Sequence, residues 1–105
     1  SRLRPRNWRL LRSCNFAVPT AAFREVQGFD ESFEGWGYED SDLCIRLMNH
    51  GLRIERAPAA CCVLHLWHPE QTRVHAGENL ARLHTTLRSG RTLPACGLRH
   101  VREHA

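Results

Sequence analysis

Apolar residues recur at helical spacing in three stretches of the chain. Leu43 and Leu47 illustrate the pattern, because residues four apart lie on one face of a helix, the face that packs into a core. A glycine follows each stretch within two residues, where helices commonly end in the left-handed conformation. The pattern predicts helices over 20–26, 40–50 and 79–89, ending before Gly28, Gly51 and Gly90.

Three other stretches have the patterns of short strands. Residues 13–18 are mainly apolar and end at Pro19, which cannot donate a ladder hydrogen bond. Residues 52–56 alternate between apolar and charged side chains, as a half-buried strand does, and residues 60–66 are more uniformly apolar. A strand, a helix and two more strands in this order indicate an α/β unit.

The chain length fits one small domain. Its 105 residues and 42% apolar content are enough for a core, but a domain of this size buries only a modest share of its surface. We predict a basic entry segment over 1–11, a folded unit over 12–90 and a basic, flexible tail over 91–105. The sequence has no apolar run of about 18 residues, the length of a membrane span, so we expect the visible chain to be soluble, with at most peripheral membrane contact.

The five cysteines do not have a disulfide or zinc-binding pattern. Their number is odd, and Cys61 and Cys62 are adjacent, so in a strand their side chains would point to opposite faces. The sequence contains no Cys-x-x-Cys pair, which argues against a structural zinc site. We expect reduced thiols, in keeping with a cytoplasmic protein.

Charge is unevenly distributed along the chain. All 15 basic residues are arginines, against 11 acids, and the net charge is +4. Five arginines lie in the first 12 residues, whereas seven acids lie within residues 25–42. The basic arm makes a nucleic-acid-binding module an alternative, but the acidic centre and the lack of a recognition helix oppose it. The charge pattern therefore favours a localised site and no nucleic-acid partner.

The segment from Gly35 to Asp42 places an aromatic residue between glycines and then three carboxylates, those of Glu39, Asp40 and Asp42. One interpretation is structural, since an acid stabilises the N-terminus of a helix by roughly 0.3–1 kcal/mol. The other is chemical. Glycine lets a backbone approach a ligand, a Trp ring packs against the C–H face of a sugar, and a carboxylate can accept a proton from a hydroxyl. The spacing alone leaves both open.

His65 and His68 follow the most apolar of the predicted strands. Two histidines three residues apart can bind one divalent ion if the chain bends there, and imidazole suits Mn, Fe, Co or Zn better than Mg or Ca. A buried histidine beside a surface histidine would give the same pattern. The pair by itself therefore leaves metal binding open.

Two motifs occur at a specific spacing, Gly-Phe-Asp-Glu at residues 28–31 and Trp-Gly-Tyr-Glu-Asp at residues 36–40. With the segments around them, over about residues 12–70, they resemble GT-A fold inverting glycosyltransferases. The match is to family 2 enzymes and to the C-terminal galactosyltransferase region of the β-1,4-galactosyltransferases. The resemblance implies a C-terminal fragment of this α/β nucleotide-diphospho-sugar transferase fold, with short strands and two or three helices. The matching segments are 13–19, 26–31, 33–43, 46–47, 51 and 65–69.

The resemblance implies a role for each residue of the loop before the second helix. Asp40 matches the general base that acts on the attacking hydroxyl, and Glu39 would hold the acceptor or the loop. Trp36 and Gly37 would contact the acceptor and the donor sugar. Tyr38 stands where the galactosyltransferases commonly have a small residue, so it bears on donor and linkage specificity.

The resemblance also implies a donor side and a metal ion. The strand that carries Cys14 and Asn15 would lie along the donor's sugar pocket. His65 is the closest match to the histidine that completes the metal site, and His68 is a second candidate. The implied ion is Mn²⁺, which would neutralise the leaving diphosphate. A UDP-sugar is the implied donor and a saccharide the implied acceptor.

One departure from the family is the missing Asp-x-Asp motif, which binds metal and nucleotide in these enzymes. Residues 40–42 match it by letter but lie in the acceptor loop. We therefore expect the acceptor-side half of a transferase, dependent on a missing N-terminal half and inactive alone. The family suggests bacterial polysaccharide assembly. The alternative is a non-catalytic carbohydrate-binding or interaction domain that keeps the Trp36 platform.

Overall fold

The computed structural model describes residues 15–55 and 72–98, together with the single residues Trp8, Pro58, Cys61 and Pro69. Helix α1 spans Thr20–Glu25, α2 spans Glu39–Asn49 and α3 spans Ala76–Ser89. All three predicted helices are confirmed, although α3 begins at Ala76 and not at Asn79. In the described part of the chain, no helix has the length and apolar character needed to cross a membrane.

The predicted strands are not found among the described residues. Residues 15–18 and 52–55 have no ladder pairing there, and residues 60–66 lie outside the described part except for Cys61. The side-chain amide of Asn15 donates to the carbonyl oxygen of Cys61 at 3.1 Å, so two of the predicted strand segments meet at this point. An extended segment becomes a strand only when a neighbour supplies ladder hydrogen bonds. The α/β fold class therefore remains a prediction.

The apolar core lies between α1 and α2. Ala22 of α1 and Val26, its C-cap, pack with Leu43 and Leu47 of α2. Helical spacing places Val26, Leu43 and Leu47 on core faces. Partly buried residues from the flanking segments cover this cluster. They are Phe16, Val18, Phe23, Phe29 and Leu52.

Arg46, on α2, is the largest fully buried side chain among the described residues. Its Nε donates to a carboxylate oxygen of Asp42 at 2.8 Å, one helical turn earlier. Its two terminal nitrogens donate to the carbonyl oxygens of Val26 and Gly28, each at 2.7 Å. Burial lowers the pKa of Arg46, while the Asp42 carboxylate opposes that shift. A single guanidinium thus joins α2 to the backbone that follows α1.

Asp42 also connects α2 to α3. Its second carboxylate oxygen accepts a hydrogen bond of 2.6 Å from the hydroxyl of Thr86, and both side chains are completely buried. The same hydroxyl accepts a hydrogen bond of 3.0 Å from Arg91, which follows the end of α3. Asp42 therefore has a donor for each oxygen, which is what a buried carboxylate requires.

Asp30, in the loop between α1 and α2, is a second buried carboxylate. It accepts hydrogen bonds from the backbone N–H groups of Ser32, Ala95 and Cys96 at 2.9, 3.1 and 3.2 Å. An Arg91 nitrogen lies 3.5 Å from it. Burial alone would raise the pKa of Asp30, but the hydrogen bonds outweigh it and hold the pKa below its ordinary value. The group is therefore ionised at neutral pH.

Residues 91–98, the described part of the predicted basic tail, hydrogen-bond to the segment between α1 and α2. Besides the contacts of Asp30, the N–H of Glu31 donates to Cys96 at 2.7 Å and that of Leu98 donates to Gln27 at 2.9 Å. Gly97 lies close to the backbone that follows α1, since a Cβ added to Gly97 would be 2.5 Å from the Gln27 carbonyl oxygen. Backbone hydrogen bonds, which hydrophobic periodicity does not detect, hold this segment.

Substitution of Arg46 by methionine tests the buried ion pair. The change leaves Asp42 buried without its cationic partner, so we expect the free energy of unfolding to fall by about 3–5 kcal/mol. This is comparable with the whole stability of a small domain. Urea unfolding followed by circular dichroism measures the loss. The matched control is Arg53→Met, at an exposed position, and equal losses in the two variants would contradict the role given to Arg46.

Candidate functional site

The loop over residues 34–38 enters α2 through a run of unusual backbone conformations. Gly37 has a φ of 122°, which favours glycine, and Tyr38 has a φ of 69° although it carries a side chain. Tyr38 is the N-cap of α2, and no side-chain hydrogen bond caps the helix there. Non-glycine residues in this region cost about 1–3 kcal/mol, and such strain clusters at functional sites. The loop thus turns sharply and brings two aromatic rings to the start of α2.

Trp36 and Tyr38 form the aromatic part of the site. Their rings meet edge to face, with centroids 6.1 Å apart. The guanidinium carbon of Arg73 lies 3.9 Å from the centre of the Trp36 ring, which is the geometry of a cation–π contact. One face of the indole ring is therefore in contact with a cation from the segment before α3.

The three carboxylates at the start of α2 have different surroundings. Asp42 is fully buried and is occupied by Arg46 and Thr86. Glu39 and Asp40 are both partly exposed in the first turn. A carboxylate oxygen of Asp40 accepts a hydrogen bond of 2.8 Å from the backbone N–H of Ser41. The structural interpretation therefore applies to Asp42, and the chemical interpretation stays a prediction for Glu39 and Asp40.

Glu39 has a polar atom that its surroundings do not satisfy. Its Oε2 is buried and accepts no hydrogen bond from the described residues. A buried carboxylate oxygen without a donor is costly, since desolvation of a polar group is then not compensated. The partial positive charge of the α2 N-terminus offsets part of that cost. Glu39 is thus a carboxylate with capacity for a further donor.

The charge of Asp40 influences a neighbouring thiol. Burial, and secondly the negative charge of Asp40, raise the pKa of Cys44 to about 11. Cys44 therefore remains a neutral thiol at physiological pH and is not a nucleophile. Among the described residues, Cys44, Cys61 and Cys96 form no disulfide.

The first turn of α3 packs against the loop, which the sequence analysis did not predict. Asn79 is completely buried, and its amide nitrogen lies 2.8 Å from the carbonyl oxygen of Glu34 and 3.4 Å from that of Trp36. The signal in the sequence is that Asn79 shares the face of Leu83 and Thr86, four and seven residues later. A polar residue on a buried face needs a partner, and here the partner is the loop backbone.

The predicted site residues fall into two groups. Trp36, Gly37, Tyr38, Glu39 and Asp40 are brought together at the junction of the loop and α2. Asn15 is exposed, and its side chain hydrogen-bonds to Cys61 and not to this loop. The predicted donor-side and metal residues Cys14, His65 and His68 lie outside the described residues.

The described part of the chain contains no group of three or more His, Cys, Asp and Glu side chains that could hold a metal ion. The acidic cluster does not provide one, because Asp42 is bound to Arg46.

Comparison with known families shows which family the chain belongs to. Residues 3–69 match the model of the family described as the N-terminal domain of galactosyltransferase, and this chain belongs to that family. The resemblance to a glycosyltransferase is thereby confirmed. That family is described as an N-terminal domain, whereas the motifs resemble a C-terminal galactosyltransferase region. The position of the chain within a transferase therefore stays a prediction.

Two curated relatives share part of the sequence. The chain is 47% identical over 45 residues to validoxylamine A glucosyltransferase from Streptomyces hygroscopicus subsp. jinggangensis (strain 5008). It has the same identity over the same length to the enzyme of that name from Streptomyces hygroscopicus subsp. limoneus. The matched stretch is 43% of this chain but only 11% and 10% of these relatives. No solved structure matches the chain.

Substitution of Gly37 by alanine tests the backbone conformation of the loop. The new methyl group would have ordinary contact distances, 3.9 Å to Ala76, so the cost comes from the positive φ. We expect the free energy of unfolding to fall by about 1–3 kcal/mol. The control is Gly77→Ala in the first turn of α3, where φ is ordinary and space is open. There, urea unfolding should show no loss or a gain, and an equal loss in both variants would contradict the assignment of strain to Gly37.

Proposed function

We propose that this chain forms the acceptor side of a glycosyltransferase that moves a sugar from a nucleotide-sugar donor to a saccharide hydroxyl with inversion. The observation that carries the proposal is the junction of the loop and α2. There two aromatic rings adjoin two partly exposed carboxylates at one helix N-terminus. Membership of the galactosyltransferase family supports the reaction class.

Asp40 is the general base in this proposal. It accepts the proton of the acceptor hydroxyl as the oxygen forms a bond to the anomeric carbon of the donor. The bond from that carbon to the diphosphate breaks on the opposite face, and the diphosphate takes the electron pair. Asp40 suits this role because it is partly exposed, whereas Asp42 is completely buried. A correctly placed general base contributes roughly 10²–10⁴-fold to such a step.

The neighbouring residues would bind and orient the acceptor. The Trp36 ring would pack against the C–H face of the sugar, with Arg73 in contact with the indole. Glu39, partly exposed in the same turn, would hold the acceptor or the loop. Tyr38, held edge to face against Trp36, would limit which sugars fit beside it.

Of the residues proposed for the donor side and the metal, only Asn15 lies in the described part of the chain. We propose a UDP-sugar donor with Cys14 and Asn15 along its sugar pocket, and a missing half of the transferase that supplies the nucleotide site. We also propose Mn²⁺ as the metal, with His65 and His68 as candidate ligands. The ion would stabilise negative charge on a leaving diphosphate.

Substitution of Asp40 by asparagine tests the general base. The amide keeps the shape but accepts no proton, so we expect acceptor-dependent UDP release by the full-length protein to fall at least about 100-fold. The control is Glu34→Gln, which changes a carboxylate in the same loop whose side chain is 71% exposed. Its turnover should remain near that of the unchanged protein. Full turnover in Asp40→Asn would place the base elsewhere.

Removal of divalent metal tests the proposed cofactor. In the same assay we expect EDTA to abolish UDP release and excess Mn²⁺ to restore it, because the ion stabilises the leaving group. A panel of UDP-sugars identifies the donor. UDP release that persists in EDTA would refute the metal requirement. Sugar binding without any transfer or metal requirement would instead favour a carbohydrate-binding domain.

A further inference from the structure

The side chain of Asn79 has a defined orientation in the structure. Its nitrogen faces the carbonyl oxygens of Glu34 and Trp36, which can only accept hydrogen bonds. Its oxygen accepts a hydrogen bond of 3.2 Å from Arg82, one turn later on α3. Each end of the amide thus has a partner of the correct kind. The buried amide thus contacts the backbone on both sides of Gly35, at Glu34 and at Trp36 itself.

Helix α3 provides a rigid support for this contact. Asn79, Leu83 and Thr86 are all completely buried and lie on one face. Thr86, two turns or about 10 Å beyond Asn79, is fixed by its hydrogen bond to Asp42. The loop therefore has two supports. It continues directly into α2, and it contacts α3, which the hydrogen bond between Asp42 and Thr86 holds against α2.

The first turn of α3 fits closely against the loop glycines. A Cβ added to Gly35 would lie 3.4 Å from the His75 ring, and one added to Gly37 would lie 3.9 Å from Ala76. His75 also lies 3.9 Å from the Glu34 carboxylate. Asn79 is the residue of this turn that donates hydrogen bonds to the loop carbonyls.

We propose that Asn79 is a positioning residue for the acceptor site: its amide fixes the backbone of residues 34–36 and thereby the orientation of the Trp36 ring. The inference rests on the proposed function for its effect on the acceptor, but the effect on the loop can be measured without any substrate. Positioning of this kind lowers the acceptor KM, because the binding surface is formed before the acceptor arrives.

Substitution of Asn79 by aspartate is the test. Aspartate has the same shape, but its carboxylate oxygens would face two carbonyl oxygens and could donate no hydrogen bond to them. The matched control is Asn49→Asp. The amide of Asn49 makes the same type of contact, at 2.8 Å from the carbonyl oxygen of Arg91, with no part in the loop. Both variants are made in the full-length protein.

The first measurement is backbone hydrogen exchange over residues 35–38. We expect exchange to become about tenfold faster in Asn79→Asp and to stay unchanged in Asn49→Asp. The second measurement is transfer kinetics. There we expect a roughly tenfold higher acceptor KM in Asn79→Asp, with kcat at saturating acceptor retained. A merely destabilised protein would not separate the two kinetic constants in this way.

The inference has two parts, the contact of Asn79 with the loop and its role in acceptor binding, and the outcomes test them separately. Unchanged exchange over residues 35–38 in Asn79→Asp would overturn the contact with the loop. Faster exchange with an unchanged acceptor KM would overturn the role in acceptor binding. Faster exchange in a protein that shows no transfer even without substitution would support the contact and refute the proposed function instead.

Discussion

The buried ion pair of Arg46 and Asp42 is the interaction on which the rest of the structure depends. Removing two charges from water costs several kcal/mol for each ion, and only good geometry and further hydrogen bonds offset that cost. The structure supplies both, through the carbonyl groups of Val26 and Gly28 on one side and the hydroxyl of Thr86 on the other. The pair therefore determines how α1, α2 and α3 meet.

This requirement also determines the chemistry available at the start of α2. Three neighbouring carboxylates repel one another, but Asp42 turns inward to Arg46, so its charge is compensated inside the protein. Glu39 and Asp40 remain partly exposed beside Trp36. The structural use of Asp42 thus removes it from the candidate site, where two partly exposed acids remain.

Sequence patterns predicted the helices because apolar spacing and terminal glycines act locally, as at Leu43, Leu47 and Gly51. The loop with Trp36 and Asp40 was predicted from its motif. The contacts of Asn79 and of residues 91–98 were not, because they join segments more than 40 residues apart through backbone carbonyl and N–H groups. Almost every residue carries such groups, so the sequence gives no local signal for which of them a side chain such as Asn79 pairs with.

The placement of Asn79 has a consequence for how the site and the core are related. Thr86 and Asn79 lie on the same face of α3, one bound to the buried pair and the other to the loop. A shift of α3 relative to α2 would therefore strain the contacts of Thr86 and of Asn79 together, because both side chains belong to the same face of one helix. The buried ion pair and the candidate site are thus joined through α3.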